Sequence, residues 1–309
     1  MADEAVTARR MWTLFEPVHA VTYFAPEARA AYEAAGVRGF WRGYFAGRAA
    51  PLAIGGGGGH RGGREAGGSS GDGGSGGVGA GVVCVAFYNF APGFVGRAVP
   101  SVWELITPGD AVRVRREGAV AALGGLLAGR EAEVKAAAGL LERALDGLDY
   151  PGRMLGAANA ALPAADDDLG RLWQAATTLR EHRGDGHFAA VLAADLDGCE
   201  VLVLRCGLDM ARETMQPIRG WSDEQWEAAL ERLAGRGLVS TEGAITEAGR
   251  SLHDQVEEAT DRAAERPWAA LGDAGTTELA GVMVPLALAC AEVIPYPSPI
   301  GVPKPGTRP

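Results

Sequence analysis

The chain has 309 residues, enough for one large domain or two ordinary ones, and 47% of them are apolar, so it can bury a substantial core. Its formal net charge is −10, which argues against a coat for nucleic acid or an anionic membrane, because phosphates repel a net negative surface. The four cysteines, Cys84, Cys199, Cys206 and Cys290, form no C-x-x-C pair, which argues against a zinc knuckle. With no apolar signal core near Met1, scattered thiols point to a reducing cytoplasm.

In chain order, "PEARAAYEAAG" reads as a helix, with Pro26 in the first turn and Gly36 as the stop. "GFWRGYFAG", Gly39 to Gly47, is aromatic and expected to be buried. The run Ile54 to Gly81 is dominated by glycine. Its "GDGGSG" matches the G-x-G-x-x-G of a phosphate loop, but that chemistry needs a strand before the glycines and a helix after them. Here the β-like "VVCVAFYNF" follows instead, and no G-K-[ST] is present. A flexible insertion is the expectation, with His60 solvated inside it.

Further on, "VKAAAGLLERALDGL" has leucines at helical spacing, and "DDDLGRLWQAATTLREH" opens with the acidic residues that suit a helix N-terminus. In "RGWSDEQWEAALERLAGRGLVSTEGAITEAGRSLHDQ", Ser222 and Gln225 predict a capping box, and Trp226, Leu230 and Leu233 mark a buried face. "LVS" and "AIT" around "TEG" predict a short hairpin before a long amphipathic helix that carries His253. Helix, wing, helix is the order of a winged-helix domain. The apolar run Leu279 to Val293 holds Pro285 and Glu292 and reads as a buried helix rather than a membrane span.

An internal duplication is also suggested. "AAYEAAGVRGF" aligns with "AAVLAADLDGC" at an offset of 159, and Trp103-Glu104 with Trp226-Glu227 at 123. The expected fold is therefore mainly α: two winged-helix-like units in tandem about a pseudo-twofold axis, with small β-wings. The expected boundaries are 1–150 for the first unit, with a disordered glycine-rich insertion at 55–81; 151–165 for a connection; 166–295 for the second unit; and 296–309 for a proline-rich tail.

Several separate words, "LFEPVHAVTYF", "FWRGYFAGRAAPL", "AFYNF", "LREHRGDGH", "RGWSDEQW" and "RGLVSTEGAITEAG", occur in one order from about Met11 to Pro303. In these the chain resembles the SalK-like helix-turn-helix family, whose winged-helix part is similar to MarR-type regulators. The resemblance implies a regulator-like fold, and an association with specialised metabolism, more firmly than a biochemical activity.

Two features qualify the regulator reading. A recognition helix meets bases and phosphates with its N-terminal residues, here Asp223, Glu224, Gln225 and Glu227, with Glu231 further on and only Arg232 opposing them. Direct DNA binding through this helix is disfavoured. The matching region of the first unit is more basic, with Arg113, Arg115 and Arg116, which read first as a solvated face.

The second feature is the set of histidines. His19, His182 and His187 lie in segments that the 159 offset makes equivalent, and Gly184 and Gly186 predict a turn between the last two. We expect a small-molecule pocket with His19, Tyr23, Glu181, His182, Arg183 and His187 as polar anchors and Phe40, Trp41, Tyr44 and Phe45 as walls. A structural reading competes, with Asp185 capping a helix that starts near His187. As an enzyme, the protein would use His19, His182, His187 and Asp185 for acid–base or metal-assisted chemistry. The spacing matches no established metal pattern, and no motif names a cofactor. The expected partner is a small molecule; no membrane association is expected.

Overall fold

Alanine and leucine recur at helical spacing through most of the chain. In a computed structural model, which describes residues 2–55 and 76–305, fourteen α-helices and two short 3-10 turns form and no strand does. Residues 56–75, including His60 and most of the glycine run, lie outside the described residues, as do 306–309.

Four helices make the centre: α1 (Ala2–Phe24), α7 (Glu131–Leu145), α9 (Asp168–Ala193) and α14 (Arg266–Cys290). Their apolar faces meet in one core through Phe15, Val18, Leu141, Leu172, Trp173, Leu279 and Met283. The packing is reciprocal. α7 lies against α9 as α14 lies against α1, while α1 also meets α9 and α7 meets α14. α14 is long and apolar enough to cross a membrane by length and composition, yet Leu279, Met283, Leu286 and Cys290 are fully enclosed by α1 and α7.

One lobe is built from α2 (Pro26–Ala34), α3 (Phe40–Gly55), α4 (Ala80–Ala86), α5 (Pro92–Val95), the turn Ser101–Glu104 and the start of α6 (Pro108–Leu126). Its core is aromatic, with Phe45, Phe87, Phe90, Phe94 and Trp103. The β-like "VVCVAFYNF" is helical in α4 and then turns, so tertiary packing of Val83, Ala86 and Phe87 has overridden local β-propensity. The C-terminal edge of the glycine run is ordered by contacts. Gly77, inside the stretch 55–81, packs flat on the Trp103 ring, and Val78 O accepts from Trp103 Nε1 at 2.8 Å.

The other lobe holds α10 (Glu200–Cys206), α11 (Arg212–Arg219), α12 (Asp223–Gly235) and α13 (Glu247–Ala263) around Leu202, Val203, Met215, Trp226 and Leu233. The capping box of α12 forms as its sequence predicts: Gln225 N–H donates to Ser222 Oγ, and Ser222 N–H to Gln225 Oε1. The expected small β-wings do not form as strands. The segment after α12 makes a tight hairpin with a single bridge, Val239 to Ile245, and Ile245 N–H turns to Gly207 O. The matching stretch of the first lobe is helix α6.

The stretch 151–165 contains a helix, α8 (Met154–Ala160). One further expectation is corrected. The segment "REHRGDGH" contains no turn: α9 runs through Gly184 and Gly186 unbroken. The Gly186 backbone lies directly under the Arg153 guanidinium, and a Cβ on Gly156 of α8 would stand 2.9 Å from His182 Cα. The close crossing of α8 over α9 is what such glycines permit.

Candidate functional site

A cleft opens between the end of α1, α2, α3 and α6. Thr22, Tyr23, Tyr32, Phe40 and Tyr44 line it, and Arg48 and Arg115 form its floor. It encloses about 460 Å³ including its open mouth, while its closed part has room only for water-sized occupants. Tyr32 narrows it by lying along α3, where Gly43 and Gly47 leave space for the ring and hydroxyl.

Beneath the cleft lies a buried ionic network. Arg48 donates side-on to Glu181 through Nε (3.0 Å) and Nη2 (2.8 Å), and through Nη1 to the Tyr44 hydroxyl (2.8 Å). Its guanidinium also lies over the Phe87 ring. Arg180 donates to Glu181 (2.8 Å) and to Glu16 (3.3 Å), and Trp12 Nε1 donates to Glu16. Burial alone would raise the Glu181 pKa, but Arg180 and Arg48 hold it well below the usual carboxylate range. At Glu16 burial prevails over Arg180 and the pKa is raised. Removing one partner from so enclosed a pair costs about 3–5 kcal/mol, so the network fixes α3 to α9.

His19 belongs to this layer. Its Nδ1 meets Thr177 Oγ1 and its Nε2 meets the Tyr23 hydroxyl, each at 2.9 Å. Burial, then the charge of Arg180, pushes its pKa well below the usual value, so the ring is neutral at neutral pH. It orients Tyr23 towards the cleft.

Among the described residues, two arginines of this region have no carboxylate partner. Arg115, from α6, is 3% exposed; its Nη2 donates to Asn159 and it stacks on Trp173, but Nε and Nη1 are unpaired. Arg219, from the last turn of α11, lies over Phe90 and donates from Nη2 to Pro299 O, with Nε unpaired. Burial lowers the pKa of both.

The residues expected from sequence divide into groups. Tyr23, Phe40 and Tyr44 border the cleft, and Trp41 and Phe45 pack behind Tyr44. His19 and Glu181 lie one layer deeper. His182, Arg183 and His187 leave α9 on other sides. His182 Nε2 donates to Asp149 O at 2.8 Å. Arg183 pairs with Asp261 of α13 at 3.0 Å, and His187 Nδ1 meets Thr260 at 3.1 Å. Burial lowers the His182 pKa and takes that of His187 to about 4. Asp185 does not cap its own helix; its carboxylate accepts from Gly156 N–H at 2.8 Å, satisfying the first turn of α8. The three imidazoles thus have no partner in common, and neither they nor Asp185 form one acid–base unit. Among the described residues no group of three or more His, Cys, Asp or Glu is arranged to hold a metal.

Arg48, Arg180, Arg219 and Glu16 were not singled out by sequence. The available signal was a charge inside an apolar helical run, as in "GYFAGRAAPL", since arginine is seldom enclosed unless it is paired. Of the basic trio expected on a solvated face, Arg115 is buried, while Arg113 is exposed and pairs with Asp110 and Glu117.

The α11–turn–α12 element is docked on the aromatic lobe. Ala91 N–H donates to Arg219 O (2.9 Å), Trp221 Nε1 donates to Asn89 O (3.0 Å), and Gly220, at φ +76°, presses against Phe94. The outer face of α12 stays exposed and acidic. Its neighbouring cations are engaged: Arg212 with Glu227 and Asp223, and Arg232 with Glu200 and Asp197.

A helical protein with this element falls in the class of helix-turn-helix proteins. Comparison with protein families agrees: residues 8–57 and 74–297 match a helix-turn-helix family, and the chain belongs to it. No curated protein and no solved structure matches the chain.

Proposed function

We propose that this protein is a ligand-responsive, regulator-like helix-turn-helix protein whose small-molecule site is the cleft beside α3. One observation carries the reading. Arg48 and Arg115 line the cleft, and Arg219, from the first helix of the helix-turn-helix element, reaches the same buried cluster through Phe90, whose ring lies 5.7 Å from that of Tyr44. A ligand that moves Tyr44 or Arg48 acts directly on the docking of α11.

In this reading α10 to α13 with the one-bridge hairpin is a winged helix of the MarR-like kind that the SalK-like resemblance implies. The reciprocal packing of α1, α7, α9 and α14 supports two related units in tandem. Tyr23, Phe40 and Tyr44 touch the ligand. Trp41, His19 and Glu181 position them, and His182, Arg183 and His187 fasten α9 to its neighbours. The acidic face of α12 supports action through a protein partner, or only weak contact with DNA.

The test is a heat-stability titration with a panel of flat aromatic compounds. A ligand at a hundred times its Kd stabilises by about 2.7 kcal/mol. We expect a saturable rise in Tm with at least one compound, lost in Tyr44→Ala. A panel that shifts nothing, or a shift that survives Tyr44→Ala, contradicts the proposal.

A further inference from the structure

The buried network is unbalanced. Among the described residues, four guanidiniums, Arg48, Arg115, Arg180 and Arg219, face two carboxylates, Glu16 and Glu181. Both carboxylates are already shared: Glu181 between Arg48 and Arg180, Glu16 between Arg180 and Trp12. A buried charge without a counter-charge is costly, so native proteins pair it or neutralise it. Arginine cannot take the second course, because its guanidinium stays protonated.

We infer that the cleft binds a flat organic anion, a carboxylate or phenolate on an aromatic ring, with Arg115 as its counter-ion. The inference rests on the proposed small-molecule reading of this cleft and names the ligand's chemistry. Geometry and chemistry agree. Arg115 is enclosed and lines the cleft, and its Nε and Nη1 are buried with no hydrogen-bond partner among the described residues, which leaves two donors for an oxyanion that displaces Tyr32. Tyr23, Tyr32, Phe40 and Tyr44 offer ring surfaces for a flat body. The sign is also selective. The chain as a whole carries −10, so a cationic interior is a local feature set against the field of the molecule. Arg48 lends charge while keeping Glu181. Tyr32, lying on Gly43 and Gly47, is the side chain a ligand larger than water displaces.

The experiment compares benzoate with its neutral isostere benzamide, by Tm and by calorimetry. It uses the native protein, Arg115→Met, Arg115→Lys and an exposed control on the same helix, Arg113→Gln. We expect benzoate to stabilise the native protein saturably and benzamide at least tenfold more weakly. Arg115→Met abolishes the preference, Arg115→Lys retains part of it, and Arg113→Gln leaves it unchanged. Without added anion, Arg115→Met melts at or above the native Tm, since an uncompensated charge has been removed. If benzamide binds as well as benzoate and the binding requires Tyr44, the cleft is a ligand site but the anion inference is wrong. If neither probe binds at about 10 mM, where a Kd near 1 mM would give near-saturation, the anion inference is wrong; the cleft reading is then judged separately by the wider panel. The benzoate–benzamide comparison on the native protein decides the matter even if Arg115→Met does not fold.

Discussion

Asp185 shows how far a single side chain can depart from its sequence reading. It sits in mid-helix, enclosed, and gives its carboxylate to Gly156 N–H. Burial first, and the charge of Glu181 in addition, raise its pKa from 3.8 to about 7 against the opposing hydrogen bond. The folded protein therefore holds this proton more tightly than the unfolded chain does. The contribution to stability is greatest below the unfolded value and is lost as pH rises through about 7. Asparagine cannot ionise, so Asp185→Asn should gain stability relative to the native protein as pH rises from about 4 to about 7, then level off. His187, lowered to about 4, acts in the opposite sense but is common to both proteins and cancels in the difference. Urea unfolding at a series of pH values measures this; a difference that is flat, or that falls with pH, would show that Asp185 is ionised throughout. At this scale the places of Tyr23, expected as a polar anchor, and of Phe40 and Tyr44, expected as apolar walls, were legible as far as lining one cleft, because they lie in apolar helical words. The arginines were not. Arg48 and Arg115 look like ordinary surface charges until the partner helix that encloses them is known.

At the scale of elements, local signals were readable where they act locally. The Pro26 start and Gly36 stop of α2 and the capping box of α12 depend on neighbours within four residues, and all are present. The failures are places where distant packing decides. α4 is helical because it closes an aromatic core, and "RGDG" is helical because glycine lets α8 cross α9 closely. Gly156→Ala should destabilise by about 1–3 kcal/mol, since its Cβ meets backbone that cannot yield. Gly139→Ala, at an open position of α7, should be neutral or stabilising by up to about 1 kcal/mol through helix propensity. Equal stabilisation at both positions in urea unfolding would mean that the α8–α9 crossing is looser than described.

Over the whole molecule, sequence conveyed the class and a helical architecture. It did not convey that one helix, α9, would divide His182, Arg183 and His187 from His19 and Glu181. Residues one or two apart point to different sides of a helix, so a cluster in sequence becomes a fan in space. The acidic face of α12 has a consequence at this scale. Binding to duplex DNA should be weak and only shallowly dependent on salt, because few phosphates can be neutralised. Tight, sequence-selective protection at physiological salt, lost on changing Asp223, Glu224 and Glu227, would overturn that.

The central claim is that the cleft and the helix-turn-helix element are joined through Arg219. Hydrogen exchange with and without saturating benzoate tests it most directly. The account predicts protection at the cleft, over residues 43–48, together with altered exchange at Ala91 and over 216–222, the second effect disappearing in Arg219→Met. Protection at 43–48 with no change at Ala91 or 216–222 would leave a binding cleft with no link to the element it is proposed to control.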